Sequence, residues 1–132
     1  MKEITKIDKV YLKNFDVYVN PYLTYAQIQQ IINGVKMMSE WAERQINIDI
    51  GILYHATDIG KEKIEEIGHE DLLASGIIDE VKTNIRNLNQ IYEGIEYTES
   101  TARALTQIAK QLPELMKQSI EKVKGNGKSS SK

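Results

Sequence analysis

The chain has 132 residues, 27% of them charged, and a formal net charge of −2, values typical of a single folded domain. It contains no cysteine, which excludes disulfides, thiolate metal sites and cysteine nucleophiles. The charge argues against a general nucleic-acid surface, and no apolar run resembles a signal peptide or a membrane span. We therefore expect neither nucleic acid nor a membrane as a partner.

Charge is unevenly distributed along the sequence. From Lys117 onward there are five lysines against Glu121 alone, so a basic end follows a more acidic body. Residues 125–132 contain no apolar side chain with which to pack. We predict one domain over residues 1–124, followed by a flexible basic tail over 125–132.

The first predicted element is a short β-hairpin over residues 9–19. This stretch is rich in β-branched and aromatic side chains, and Asn14 lies at its natural turn position. Pro21 ends the second strand because it has no backbone N–H to donate.

A helix is predicted to begin after Thr24. The Thr24 hydroxyl and Gln27 have the spacing of a capping box, and Leu23 is placed to pack onto Ile28 as a hydrophobic staple. The apolar residues that follow have the spacing of one helix face: Tyr25, Ile28, Ile31, Ile32, Val35 and Met38.

Residues 46–52 alternate between apolar and polar types, which suits a strand, but they are flanked by residues that favour helix. Periodicity alone does not separate a buried helix from a strand in so short a stretch. We favour a helix. Gly51 then costs about 1 kcal/mol relative to alanine, which is tolerable where another helix crosses closely.

A short helix is predicted over residues 61–67, with Asp58 as its cap and Gly68 as its end. A short turn over 70–74 follows. Glycine suits the end of a helix because it adopts positive φ without steric cost.

A long helix is predicted over residues 77–95, then a break near 97–100 and a final helix that Pro113 kinks or divides. The predicted fold class is mainly α. It consists of an N-terminal β-hairpin at 9–19 followed by a helical bundle of about four to five helices over 24–124.

The two histidines are candidate metal ligands. His55 lies three residues before Asp58, and His69 is followed by Glu70 and Asp71. A zinc site needs three or four ligands at characteristic spacings, and no such motif is present. We expect no metal and no cofactor.

No motif in the sequence indicates catalysis. The carboxylates of residues 61–66 have the spacing of ordinary pairs on a helix surface, and this acidic stretch also argues against a DNA-binding helix. There is no glycine-rich phosphate loop and no nucleophile elbow. We therefore predict that the protein is not an enzyme, although a site built on His55 and His69 is an alternative.

Exposed aromatic side chains are frequent anchors in protein interfaces, although most aromatic residues at helical spacing belong to a core. The residues considered as partner-binding anchors are Tyr22, Tyr25, Trp41, Tyr54, Tyr92 and Tyr97. Several predicted helices also carry wide apolar faces in a short chain, which predicts a homo-oligomer.

The hairpin over 10–19 leads into the helix start Leu23-Thr24-Tyr25 and then a helical remainder. This layout resembles the tail assembly chaperones of bacteriophages that infect Gram-positive hosts, most specifically over residues 10–35. The resemblance implies a non-enzymatic protein of the host cytoplasm that binds the helical tape-measure protein. The alternative is a small phage-encoded inhibitor of a host defence protein, which the acidic body favours.

Overall fold

The computed structural model describes residues 3–4 and 6–130, with side chains described as far as residue 118. An antiparallel hairpin is followed, within these residues, by six helices, which confirms the predicted mainly α fold class. The strands are β1 (Val10–Leu12) and β2 (Val17–Val19). The helices are α1 (Tyr25–Val35), α2 (Trp41–Ala56), α3 (Lys61–Ile67), α4 (His69–Ser75), α5 (Ile77–Thr83) and α6 (Asn89–Ser130).

The chain divides into two compact units, Met1–Ile95 and Glu96–Lys132, and this division falls within α6. The first unit contains the hairpin, α1 to α5 and the start of α6. The single domain over 1–124 stays a prediction, with its end placed at a different residue from this division. The backbone of residues 125–130, which we expected to be a tail, continues α6, and the mobility of that tail stays a prediction.

The hairpin buries one face and exposes the other. Val17 and Val19 point inward, whereas the rings of Tyr11 and Tyr18 face solvent with their centroids 4.9 Å apart. Asp16 closes the turn at φ 50°, and its Oδ1 accepts a hydrogen bond of 2.6 Å from the Tyr11 hydroxyl. Alternation along each strand therefore places the valines in the core.

The predicted capping box is present at the start of α1. The Gln27 amide donates to Thr24 Oγ1 at 3.2 Å, and the Thr24 amide donates to Gln27 Oε1 at 2.9 Å. Ile28, Ile31, Ile32 and Val35 form the buried face. Tyr25 differs from the prediction because it is 78% exposed and does not belong to that face.

Residues 46–52 lie within α2, so the favoured helical interpretation is confirmed. A Cβ built on Gly51 would lie 3.0 Å from Ile31 Cγ1, which shows how closely α1 and α2 approach. The terminus of α2 is also joined to the hairpin, since the Asn20 amide donates to the Ala56 carbonyl at 2.7 Å.

The predicted cap at Asp58 is wrong. Gly60 precedes α3 with φ 90°, and Asp58 Oδ1 instead accepts a hydrogen bond of 2.9 Å from the Tyr18 amide. The side chain is thus used to bind the hairpin. Gly68 does end α3 at positive φ, as predicted, and the stretch expected to be a turn over 70–74 forms α4.

The predicted continuous helix over 77–95 is also wrong, since α5 ends at Thr83 and α6 begins at Asn89. The intervening segment binds the chain before α1. The Arg86 amide donates to the Pro21 carbonyl at 2.8 Å, and the buried Asn87 side chain binds both backbone polar groups of Leu23. These tertiary hydrogen bonds outweigh the helical periodicity of the segment.

The break predicted near 97–100 does not occur, because α6 is continuous through these residues and is not divided at Pro113. Hydroxyl side chains are accommodated within the helix. Thr106 Oγ1, for example, donates to the Ala102 carbonyl at 2.9 Å. A run of polar residues is therefore a weak sign of a helix end when no glycine accompanies it.

The core of the first unit joins the hairpin to the helices around it. Its largest fully buried side chains are spread along the chain from the segment before α1 to the start of α6: Leu23, Ile52, Leu53, Ile64, Ile78 and Ile91. Burying a side chain of this type contributes about 1.5–3 kcal/mol, so the core supplies the main driving force for folding of this unit.

Candidate partner-binding cleft

A shallow cleft of about 470 Å³ lies on the first unit, among side chains from α2, α4, α5 and the start of α6. We call it the Trp41 cleft. Its lining residues are Trp41, Ala42, Gln45, Ile46, Asp49, His69, Leu73, Lys82 and Tyr92.

The rim of the Trp41 cleft is aromatic and aliphatic. Trp41 is 74% exposed, and Ile46, Leu73 and Tyr92 are each exposed as well. Single exposed apolar side chains are ordinary on protein surfaces. Four of them around one concavity are more informative, since clustered apolar side chains mark surfaces that bind other molecules.

The floor of the cleft is a polar network centred on the buried carboxylate of Asp49, whose side chain is only 3% exposed. Its Oδ1 accepts hydrogen bonds from Lys82 Nζ at 2.5 Å and Gln45 Nε2 at 2.9 Å, and its Oδ2 lies 2.9 Å from His69 Nε2. Gln45 Nε2 is also 3.2 Å from the Tyr92 hydroxyl, which connects the floor to the rim.

The environment of Asp49 keeps it ionised. Burial by itself raises the pKa of this carboxyl, but the hydrogen bonds from His69, Lys82 and Gln45 together lower the pKa below its usual range. Three helices are thereby joined through one satisfied carboxylate. A network of this kind holds side chains in fixed positions, so the helices that carry the rim residues are held rigidly relative to one another.

The histidines do not assemble the metal sites that were considered from the sequence. His69 contacts Asp49, whereas Asp58, the neighbour expected for His55, binds the Tyr18 amide. Among the residues that the structure describes, no three His, Asp or Glu side chains are grouped so as to hold a metal ion.

His55 lies in a second cleft of about 390 Å³ between α1, α2 and α3, where Tyr54, Lys61 and Glu65 also line the wall. Its ring packs edge-on against Tyr54, with 4.9 Å between the centroids. Burial lowers the pKa of His55 below its ordinary value. The imidazole is thus held in its neutral form near pH 7.

We expect His55 to make the first unit less stable in mild acid. Because its pKa is lowered by folding, the unfolded chain binds a proton more readily, so the free energy of unfolding falls as the pH drops below about 6.5. In the His55→Gln variant, the part of this fall in unfolding free energy that comes from His55 is expected to be absent. Urea titrations of both proteins between neutral pH and pH 5 measure the difference, and identical slopes against pH would contradict the assignment.

All six aromatic residues predicted to bind a partner are exposed, but the structure brings only two of them together. Trp41 and Tyr92 share the Trp41 cleft, whereas Tyr54 lines the second cleft, beside His55. Tyr22 and Tyr25 lie before and at the start of α1. Tyr97 belongs to the second unit.

Comparison with known proteins gives no relative for this chain: no family model, no curated protein and no solved structure matches it significantly. None of the helices in the described part of the chain has the length and apolarity required to span a membrane.

Proposed function

We propose that this chain is a non-enzymatic protein that binds a helical protein partner through the Trp41 cleft. The observation that carries the proposal is the exposed apolar rim of Trp41, Ile46, Leu73 and Tyr92 above the Asp49 network. Aromatic side chains of this kind gain much on desolvation and are enriched among the residues that dominate binding energy.

The shape and chemistry of the cleft suit the apolar face of a helix. A shallow apolar concavity accepts aliphatic side chains that recur at i, i+3 and i+4 on a partner helix. The polar floor needs no added ligand, because every buried side-chain N and O atom in the described part of the chain has a hydrogen-bond partner. Binding therefore exchanges water for apolar contact without leaving a charge unsatisfied.

In its more specific form, the proposal is that the protein acts as a phage tail assembly chaperone in the host cytoplasm. The partner is then the tape-measure protein, a long helical rod whose apolar stripes need cover before the tail tube forms. The hairpin that leads into the capped helix at Leu23-Thr24-Tyr25 supports this form, since it has the layout of that family.

Removing the indole ring from the cleft tests the proposal. We expect Trp41→Ala to weaken binding to the tape-measure protein by at least tenfold, because a truncated anchor typically costs about 2 kcal/mol or more. Light scattering on mixtures of the purified proteins measures complex formation. Met37→Ala is the matched control, since Met37 is 88% exposed and lies outside the cleft.

Loss of binding in Trp41→Ala together with wild-type binding in Met37→Ala supports the proposal. Equal binding by both variants would assign the interaction to another surface. No complex between the wild-type proteins would reject the tape-measure protein as the partner.

The second candidate function is inhibition of a host defence protein, and the distribution of charge favours it. Residues 58–80 contain eight carboxylates and two lysines, so the acidic excess is concentrated on the segment that forms α3 to α5. Such a segment is suited to a basic cleft on another protein. A plating assay in which expression of the chain protects no phage from any defence system would remove this candidate.

A further inference from the structure

A second apolar surface lies on α6, beyond the unit that holds the Trp41 cleft. Five large side chains are each about half exposed or more: Leu105, Ile108, Leu112, Leu115 and Met116. Every residue from 101 to 118 is exposed. We call these five side chains the α6 stripe.

The spacing within the α6 stripe follows a heptad repeat. Leu105 and Leu112 occupy position a, whereas Ile108 and Leu115 occupy position d. This alternation of three and four residues keeps one seam of a helix facing another helix over successive turns. A helical segment whose side chains are all exposed gains nothing from tertiary packing, so a partner along this seam would stabilise residues 101–118 of α6.

The charges around the stripe decide which partner it takes. The positions that flank the seam, e and g, carry no charge, being Ala104, Ala109, Gln111, Met116 and Gln118. Flanking charges normally set partner choice and orientation in coiled coils. A second copy of the same helix therefore brings no like charges together at these positions. A partner helix with charged e and g positions would find no opposite charge on α6 with which to form ion pairs.

Within residues 101–118, the cations of α6 are placed where self-association leaves them in solvent. Arg103, Lys110 and Lys117 recur every seven residues at position f, on the side of the helix opposite the seam. When copies associate through the stripe, these charges point outward and remain hydrated. The pattern is thus self-complementary in both its apolar seam and its charge.

We propose that copies of this chain associate with one another through the α6 stripe in a coiled-coil assembly. The inference is independent of the Trp41 cleft and of the identity of its partner, because it rests on residues of the second unit alone. Each copy in the assembly would carry its own Trp41 cleft. Several linked clefts would raise the avidity for a partner that repeats along a rod.

The test is the mass of the full chain in solution. By light scattering or sedimentation, the wild-type protein is expected to show a multiple of the 15.1 kDa chain mass from micromolar concentration upward. The double variant Leu105→Glu, Leu112→Glu is expected to fall to the single-chain mass. The matched control Lys110→Glu changes charge at position f and is expected to keep the wild-type mass.

The fold of each variant is checked independently by urea denaturation followed by circular dichroism. A single-chain mass for the wild-type protein at every concentration overturns the proposal. So does a double variant that keeps the wild-type mass.

A second readout covers the case in which the glutamate variant fails to fold. Because the chain has no cysteine, Leu112→Cys and Lys110→Cys each introduce a single thiol. A bismaleimide is expected to link copies through Cys at the seam far more efficiently than at position f. Equal crosslinking at both positions contradicts a seam at the α6 stripe.

Discussion

The Asn87→Asp variant is expected to lose about 3–5 kcal/mol of unfolding free energy, although the two side chains have nearly the same shape. Asn87 is 5% exposed; its Oδ1 accepts from the Leu23 amide at 3.0 Å and its Nδ2 donates to the Leu23 carbonyl at 2.8 Å. A carboxylate keeps the first hydrogen bond but places a second oxygen against the carbonyl. The result is a buried charge facing a buried acceptor.

Urea denaturation followed by circular dichroism measures this loss. Asn14→Asp is the matched control, because Asn14 lies exposed in the hairpin turn, and its unfolding midpoint is expected to stay near that of the wild type. The penalty of Asn87→Asp should shrink as the pH falls, since protonation restores a donor to the carbonyl. A variant as stable as the wild type would mean that Asn87 does not hold the segment before α6 in place.

The second large effect is expected at Asp49. Asp49→Ala leaves Lys82 and His69 in the floor of the Trp41 cleft without their carboxylate, and we expect a loss of about 2–3 kcal/mol. The loss lies below that of a fully buried pair because the side chains of Lys82 and His69 are about one-fifth exposed. Asp8→Ala, which removes an exposed carboxylate, is the control and is expected to change little.

The stability that Asp49 contributes also depends on pH. Its pKa is lowered in the folded protein, so the contribution is complete above the ordinary aspartate value of about 3.9 and is lost as the pH falls through the folded value. The stability gap between the wild type and Asp49→Asn should therefore narrow in acid. A gap that stays constant down to pH 2 would show that the carboxylate contributes no ionic stabilisation.

Local patterns in the sequence were sufficient for the hairpin, for the capped start of α1 and for the helical nature of residues 46–52. Each depends on neighbours a few residues apart, namely strand alternation, the Thr24 and Gln27 box, and helix-forming flanks. The break between α5 and α6 was missed because it depends on Asn87 binding Leu23, 64 residues earlier. No periodicity within the segment reports such a contact.

The candidate site was predicted only in part. The sequence indicates Trp41 and Tyr92 as aromatic anchors, but nothing in it places them beside the same cleft. Asp49 was overlooked because it occupies a polar position in an alternating stretch, and its partners His69 and Lys82 lie 20 and 33 residues away. The spacing of four residues between Gln45 and Asp49 is the single local sign of the network.

The two proposed surfaces divide the work of the protein. On these proposals, the Trp41 cleft of the first unit would supply recognition and the α6 stripe of the second unit would supply self-association. Separate variants therefore separate the two activities: the glutamate substitutions in α6 should weaken avidity for a long partner but leave the affinity of a single cleft unchanged.

The central claim, that the Trp41 cleft binds a helical partner, is tested most directly by the fluorescence of Trp41 itself. It is the only tryptophan in the chain and is 74% exposed, so its emission in the unbound protein is that of an indole in water. Titration with a tryptophan-free helical segment of the tape-measure protein is expected to shift the emission to shorter wavelength, with saturation and protection from acrylamide quenching. A complex that forms by light scattering while Trp41 emission and quenching stay unchanged would contradict the claim.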